Sequence, residues 1–151
     1  MKRMFHALLF NAVISPTLGL LMIVATGCTQ LDKNADPLIV RAEQVEASAL
    51  ATFDLVLNVN DSNRDFFRSN APEFHNFAEW LRTPTPGVYP DGKPTWPRSL
   101  AMIYDLHTVK LAYKTNRDAG KLNAGIHGVQ AIIAQSTSWL SRITNAPSTL
   151  K

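Results

Sequence analysis

Cysteine is nearly missing from this chain: among 151 residues there is one, Cys28. An intrachain disulfide is therefore excluded, and so is any zinc or iron–sulfur site built from several thiolates. Charge of one sign is scarce as well. Fifteen Lys and Arg residues stand against twelve Asp and Glu, but Lys2 and Arg3 precede a long apolar stretch, and from residue 28 onward thirteen bases meet twelve acids. A net charge of +1 over that part gives no electrostatic footprint for nucleic acid as a partner. Signatures of catalysis are also lacking. The sequence has no HExxH zinc motif, no GxSxG nucleophile elbow and no glycine-rich phosphate loop. Nor does it have the Glu-x-x-His pairs of di-iron bundles or a Cys-x-x-Cys-His haem attachment. Its carboxylates read as scattered over solvated helix faces, which favours no enzyme. Strand-like alternation long enough for a sheet is missing too, and there is no internal repeat.

One long apolar run is present, and it lies at the start. Lys2 and Arg3 lead into residues 7–27, which become strongly apolar from Leu18 to Ala25 and end at Gly27-Cys28. Directly after it come Thr29, Gln30, Asp32, Lys33 and Asn34. A positive start, an apolar middle and a small-residue junction make a secretory signal. The junction Ala25-Thr26-Gly27-Cys28 resembles the lipobox of bacterial lipoproteins, with Ala25 standing where that family usually has leucine. The resemblance implies cleavage before Cys28, covalent lipid on Cys28, and a protein held in the cell envelope. Thr29, in place of aspartate, implies the periplasmic face of the outer membrane over the inner membrane. The competing reading is an uncleaved anchor, since residues 7–27 approach the length of a membrane span. His6 flanks it, and Asn11, Ser15, Pro16 and Thr17 interrupt its first half, however, and the remaining apolar length suits a signal.

Beyond the signal, residues 28–36 read as a polar tether and 37–146 as one helical domain, followed by a tail at 147–151. Asp36-Pro37 is a helix start: a capping carboxylate, then proline at the first helical position. Leu38, Ala42, Val45, Ala49, Phe53 and Val56 recur every three or four residues on one face, widened by Leu50 and Leu57. The polar cluster Asn60-Asp61-Ser62-Asn63 either carries this helix on or breaks it, and Phe66 and Phe67 indicate helix again. Pro72 opens a shorter helix with Phe74, Phe77, Ala78 and Leu81 inward and Trp80 at the edge; it cannot pass Thr83, because Pro84 follows. Residues 98–116 have two apolar faces, Leu100, Ile103, Tyr104, His107 and Leu111 on one and Met102, Leu106, Val109 and Tyr113 on the other. Such a helix is expected between neighbours, at the centre. The last helix, 120–144, carries the seam Leu122, Ile126, Val129, Ile133, Ser136, Leu140 and Ile143, with Gly125 and Gly128 allowing close approach of a partner helix. The expected fold is thus all-α, a small antiparallel bundle of three to four helices with one long Pro-rich loop at 83–97.

That loop is the best candidate for a contact surface. Tyr89 and Trp96 supply its large rigid side chains, of the kind that dominate interfaces; alternatively they fold back and cap the core. Of the histidines outside the signal, His75, His107 and His127, none sits in a metal-ligand spacing. The expectation is therefore a non-enzymatic, lipid-anchored structural or interaction module with no cofactor beyond its lipid. Two alternatives remain open. One is a periplasmic haem- or metal-binding bundle, with Met102 and His107 or His127 as the ligands to consider. The other is a phage-type lysis lipoprotein.

Overall fold

The computed structural model describes residues 35–144. The expectations for the signal, Cys28, most of the tether and the residues from 145 on lie outside them. The fold is all-α, with a two-stranded hairpin inserted. Its elements are α1 (Pro37–Ser62), α2 (Arg64–Asn70), α3 (Pro72–Arg82), β1 (Pro84–Pro86), β2 (Thr95–Pro97), α4 (Arg98–Asn116) and α5 (Ala119–Thr144).

Helix α1 starts as the sequence predicts. Asp36 Oδ1 accepts from the Leu38 N–H at 3.0 Å, and Pro37 takes the first helical position. The helix runs through most of the polar cluster and stops only at Asn63, which leaves helical geometry (φ -144°, ψ 42°) and returns its N–H to the Asn60 carbonyl. Asn60 tolerates this because it is a buried polar residue with side-chain partners, not an exposed breaker. Among the described residues five helices therefore stand where three or four were expected: the Asn63 and Ala71 breaks separate the short α2 from its neighbours. Phe67 of α2 and Phe74 of α3 then meet edge to face at 4.9 Å.

Three long helices form the body. Asp36 bonds Tyr113 and Arg117, while Glu46 meets Lys110 and His107, so α1 and α4 run antiparallel. Helix α5 returns alongside them, with Arg41 of α1 donating to Gln130. The core gathers Ala42, Val45, Ala49, Phe53 and Val56 of α1, Phe74, Phe77 and Leu81 of α3, Leu106 of α4, and Leu122, Ile126 and Val129 of α5.

The middle position belongs to α1, which packs against all four other helices. Helix α4 buries one of its two apolar faces. Leu106 and Tyr113 are inside, but Leu100 and Leu111 of the other face remain 40% and 49% exposed. Leu50, expected to widen the α1 stripe, is likewise exposed, because the stripe needs no more width than the neighbours cover. On α5 the seam is deepest in its first half. Leu122, Ile126 and Val129 are buried, whereas Ile133, Leu140 and Ile143 are only partly so. Ser136 is fully buried and satisfied locally, its hydroxyl donating to the Ile132 carbonyl at 2.8 Å. A Cβ at Gly125 would stand 3.3 Å from Leu106 Cδ1, whereas one at Gly128 would meet nothing. Close helix approach accounts for the first glycine and not for the second.

The loop at 83–97 contains the sheet that sequence patterning missed. Strands β1 and β2 pair antiparallel, Thr85 opposite Trp96. The Arg98 N–H donates to Thr83 and the Gly87 N–H to Pro94. Alternate pairs carry the hydrogen bonds in such a ladder, which leaves Pro84, Pro86 and Pro97 at positions whose backbone nitrogens face outward. Proline removes nothing from the ladder there.

Denaturant melts should rank the α5 positions by depth. Ile126→Ala is expected to cost about 2–5 kcal/mol, with the half-buried Leu140→Ala costing less and Ser138→Ala within about 0.5 kcal/mol of wild type. Gly128→Ala should stabilise by about 0.4–1 kcal/mol. Equal, small losses at Ile126 and Ser138 would show that α5 does not pack as a seam.

Candidate functional site

The hairpin brings together both residues singled out in the loop. Tyr89 and Trp96 stack in parallel, centroids 4.6 Å apart with 3° between planes, and both lie edge-on to Tyr104 of α4 at 5.8 and 5.5 Å. Tyr89 is buried, and its hydroxyl donates to the Thr85 carbonyl at 2.8 Å. Burial, and after it the Asp105 carboxylate, pushes that hydroxyl's pKa above the ordinary tyrosine value. Trp96 is half-buried and donates through Nε1 to Asp91 Oδ1 at 3.0 Å. The same oxygen accepts the Lys93 N–H, while the Lys93 ammonium lies 3.1 Å from Oδ2. Desolvation raises the Asp91 pKa, but these donors outweigh it and hold the carboxyl below its usual range. Gly92 closes the turn at φ 72°. Gly87 makes room for the tyrosine: a Cβ there would come within 2.7 Å of the Tyr89 ring. Tyr89 thus works mainly inward, as a capping residue of the hairpin, and Trp96 keeps part of its surface. Among the exposed side chains of the hairpin is Val88, 94% exposed, which sequence reasoning passed over for want of any local signal.

A second polar constellation joins α1 to α4. Lys110 is almost buried, its side chain 6% exposed, and its ammonium donates to Glu46 Oε2 at 2.7 Å with Glu43 at 3.7 Å. His107 Nδ1 lies 3.5 Å from Glu46 Oε1, at the outer limit of contact, and that oxygen makes no hydrogen bond. The carboxylate of Glu46 is only 16% exposed, so the expectation of solvated carboxylates fails at this residue. The pairing is between residues 64 apart in sequence, which helical periodicity cannot anticipate.

A third cluster gathers where α1 meets α3. Buried Asn60 joins His75 Nδ1 at 3.0 Å through Oδ1 and donates from Nδ2 to Glu79 at 3.4 Å. Because the amide nitrogen is the donor toward Glu79, Oδ1 accepts and His75 Nδ1 carries the proton. Arg64 and Arg82 close on Glu79 from either side, and Arg82 also pairs with Asp61. This is a structural use of His75.

No family model, curated protein or solved structure matches this chain. Among the described residues no three His, Cys, Asp or Glu side chains gather as a metal would need. The ligands considered for haem have separate surroundings. Met102 packs partly buried against the core, His107 faces Glu46, and His127 is exposed on α5. Met102 and His107 also lie about 140° apart around α4.

Two tests follow from the charge constellations. Lys110→Met should destabilise by about 3–5 kcal/mol in denaturant melts by stranding Glu46, and adding Glu46→Leu should recover most of that loss. A double variant no more stable than the single would show the pair to be needed in itself. The second test concerns Asp36. Desolvation raises its pKa, yet Tyr113, the Leu38 and Ile39 amides and Arg117 together hold it below the usual value. The folded state therefore binds the proton less readily than the unfolded chain. The resulting stability is fully present above the unfolded pKa, near 3.9, and is lost as pH falls through the lower folded value. Asp36→Asn should lower Tm at neutral pH and flatten its fall below about pH 4; an acid limb identical to wild type would contradict this role.

Proposed function

We infer that this is a lipid-anchored envelope protein whose helical domain serves as a non-enzymatic interaction module. The observation that carries the reading is the junction Gly27-Cys28, where an apolar run behind Lys2 and Arg3 ends on the chain's one cysteine. Cleavage before Cys28 would leave its thiol to carry lipid. Two or more acyl chains, at about 0.8 kcal/mol per buried CH₂, make a stable anchor where one does not. Thr29 favours the outer membrane by the same resemblance. The compact helical unit begins at Asp36, leaving residues 29–35 between it and the anchor. Seven residues reach no further than about 25 Å, so the domain works close to the membrane that holds it.

The use of polar groups within the domain supports the non-enzymatic part. Glu46, Lys110, His75, Glu79 and Asp36 are engaged in ion pairs and hydrogen bonds that join one helix to another. They tie one helix to the next.

The test is acylation in the native host. Wild-type protein should incorporate a palmitate analogue and sediment with membranes, and Cys28→Ala should persist as an unlabelled precursor still carrying residues 1–27. Retention of residues 1–27 by the wild type, with no fatty acid incorporated, would overturn the reading.

A further inference from the structure

We propose that His107 is a proton-operated latch: on taking up a proton, its Nδ1–H closes onto Glu46 Oε1 and draws α4 against α1. Such a latch works whether or not the chain is anchored. Its ground is the uneven pairing of one carboxylate. Glu46 Oε2 receives the Lys110 ammonium at 2.7 Å, whereas the buried Oε1 accepts no hydrogen bond. A buried acceptor left without a donor is costly, and more so in a charged group. Facing that oxygen at 3.5 Å is His107 Nδ1. The gap exceeds the usual N–H···O range of about 2.7–3.2 Å, but a small rotation of the ring would close it. Neutral imidazole carries one N–H, on either of its two nitrogens, whereas imidazolium donates from both. Protonation therefore puts a donor at Nδ1 whichever tautomer preceded it.

The charges around the ring favour an imidazolium. From α1, Glu43 and Glu46 face this point; from α4, Lys110 does, one turn beyond His107. Two carboxylates against one ammonium leave a single negative charge, which a proton on His107 cancels. The remaining neighbours turn elsewhere. Tyr104, one turn before the ring, is engaged with Tyr89 and Trp96, and Arg41 of α1 reaches to Gln130 of α5. Asp105 lies about 160° around α4 from His107. Among the described residues the ion pairs at this point come from α1 and α4 alone. The ring is open to solvent protons, its side chain 45% exposed, and imidazole is the side chain that ordinarily changes charge between about pH 5 and 8. The closed contact exists only in the folded chain, so the fold binds this proton more tightly than the unfolded chain does. The stability gained is fully present below the unfolded value, about pH 6.5, and is lost as pH rises above it.

The experiment compares Tm of the full chain in detergent, wild type against His107→Gln, at about pH 5.5 and about pH 8, on either side of the imidazole range. Asp36, His75 and His127 are present in both proteins, so their contributions cancel in the difference. Wild type should melt about 4 °C above the variant in acid and within about 1 °C of it at the higher pH. The gap should need the carboxylate. Glu46→Gln is made together with Lys110→Met, so that no unpaired lysine is left inside, and in that background His107→Gln should shift Tm equally at both pH values. Imidazole NMR spectra supply a second reading. In acid the His107 Nδ1 proton should be protected from exchange with water, and the ring protons of His127, exposed on α5, should not. A gap equal at both pH values, or larger at the higher one, would overturn the latch. So would a pH-dependent gap that persists without Glu46, or a His107 Nδ1 proton that exchanges as freely as those of His127.

Discussion

The structure depends on the burial of one face of α1. This helix, about 39 Å long, lays Ala42, Val45, Ala49, Phe53 and Val56 into the core and touches every other helix. Each fully buried Phe or Val contributes about 1.5–3 kcal/mol relative to exposure, and the small alanines let α4 and α5 come near. Helix α1 runs from the Asp36 cap, which Tyr113 and Arg117 of α4 hold, to the break at Asn63, beyond which α2 and α3 are added. The hairpin is held over the N-terminal half of α4 by its aromatic stack.

The charged groups inside this frame act on register more than on stability. Pairing Lys110 with Glu46 recovers only part of the cost of desolvating both, so two well-packed apolar residues would hold the helices together as well. What the pair adds is a penalty on sliding: shifting α4 by a turn against α1 strands one buried charge. Asp36 works similarly at the end of the bundle. One carboxylate caps α1 through Oδ1 and accepts Tyr113 and Arg117 through Oδ2. Local helix formation and long-range packing therefore begin at the same residue. The Arg117 guanidinium also lies over the Tyr113 ring, 5.5 Å from its centroid. Arg117 itself takes the left-handed conformation that ends α4, a place more often filled by glycine.

What could be read from the sequence was what is encoded locally. The Asp36 cap, the proline starts at Pro37 and Pro72, the stop before Pro84 and the inward faces of α1 and α3 all rest on contacts within a few residues. The all-α class follows from their sum. What escaped was non-local or depended on direction. Proline density at 83–97 argues against strands unless one knows that Pro84, Pro86 and Pro97 all face outward, and only the paired register reveals that. Whether the helix passes Asn60 stayed open in the sequence, because its partners, His75 and Glu79, lie on another helix. Lys110 sits one turn from Leu106 on the inward face of α4, and its partner on α1 cannot be inferred from spacing. Tyr89 and Trp96 were legible as the aromatic residues of the loop. Which of them points inward was not, and neither was Val88.

We propose that Cys28 is where this protein meets its membrane. Intact mass and N-terminal peptide analysis of the protein purified from native membranes tests this. The expected chain begins at Cys28 and carries the added mass of fatty acyl groups on that residue. A chain beginning at Met1, or cut elsewhere and free of lipid, would contradict it.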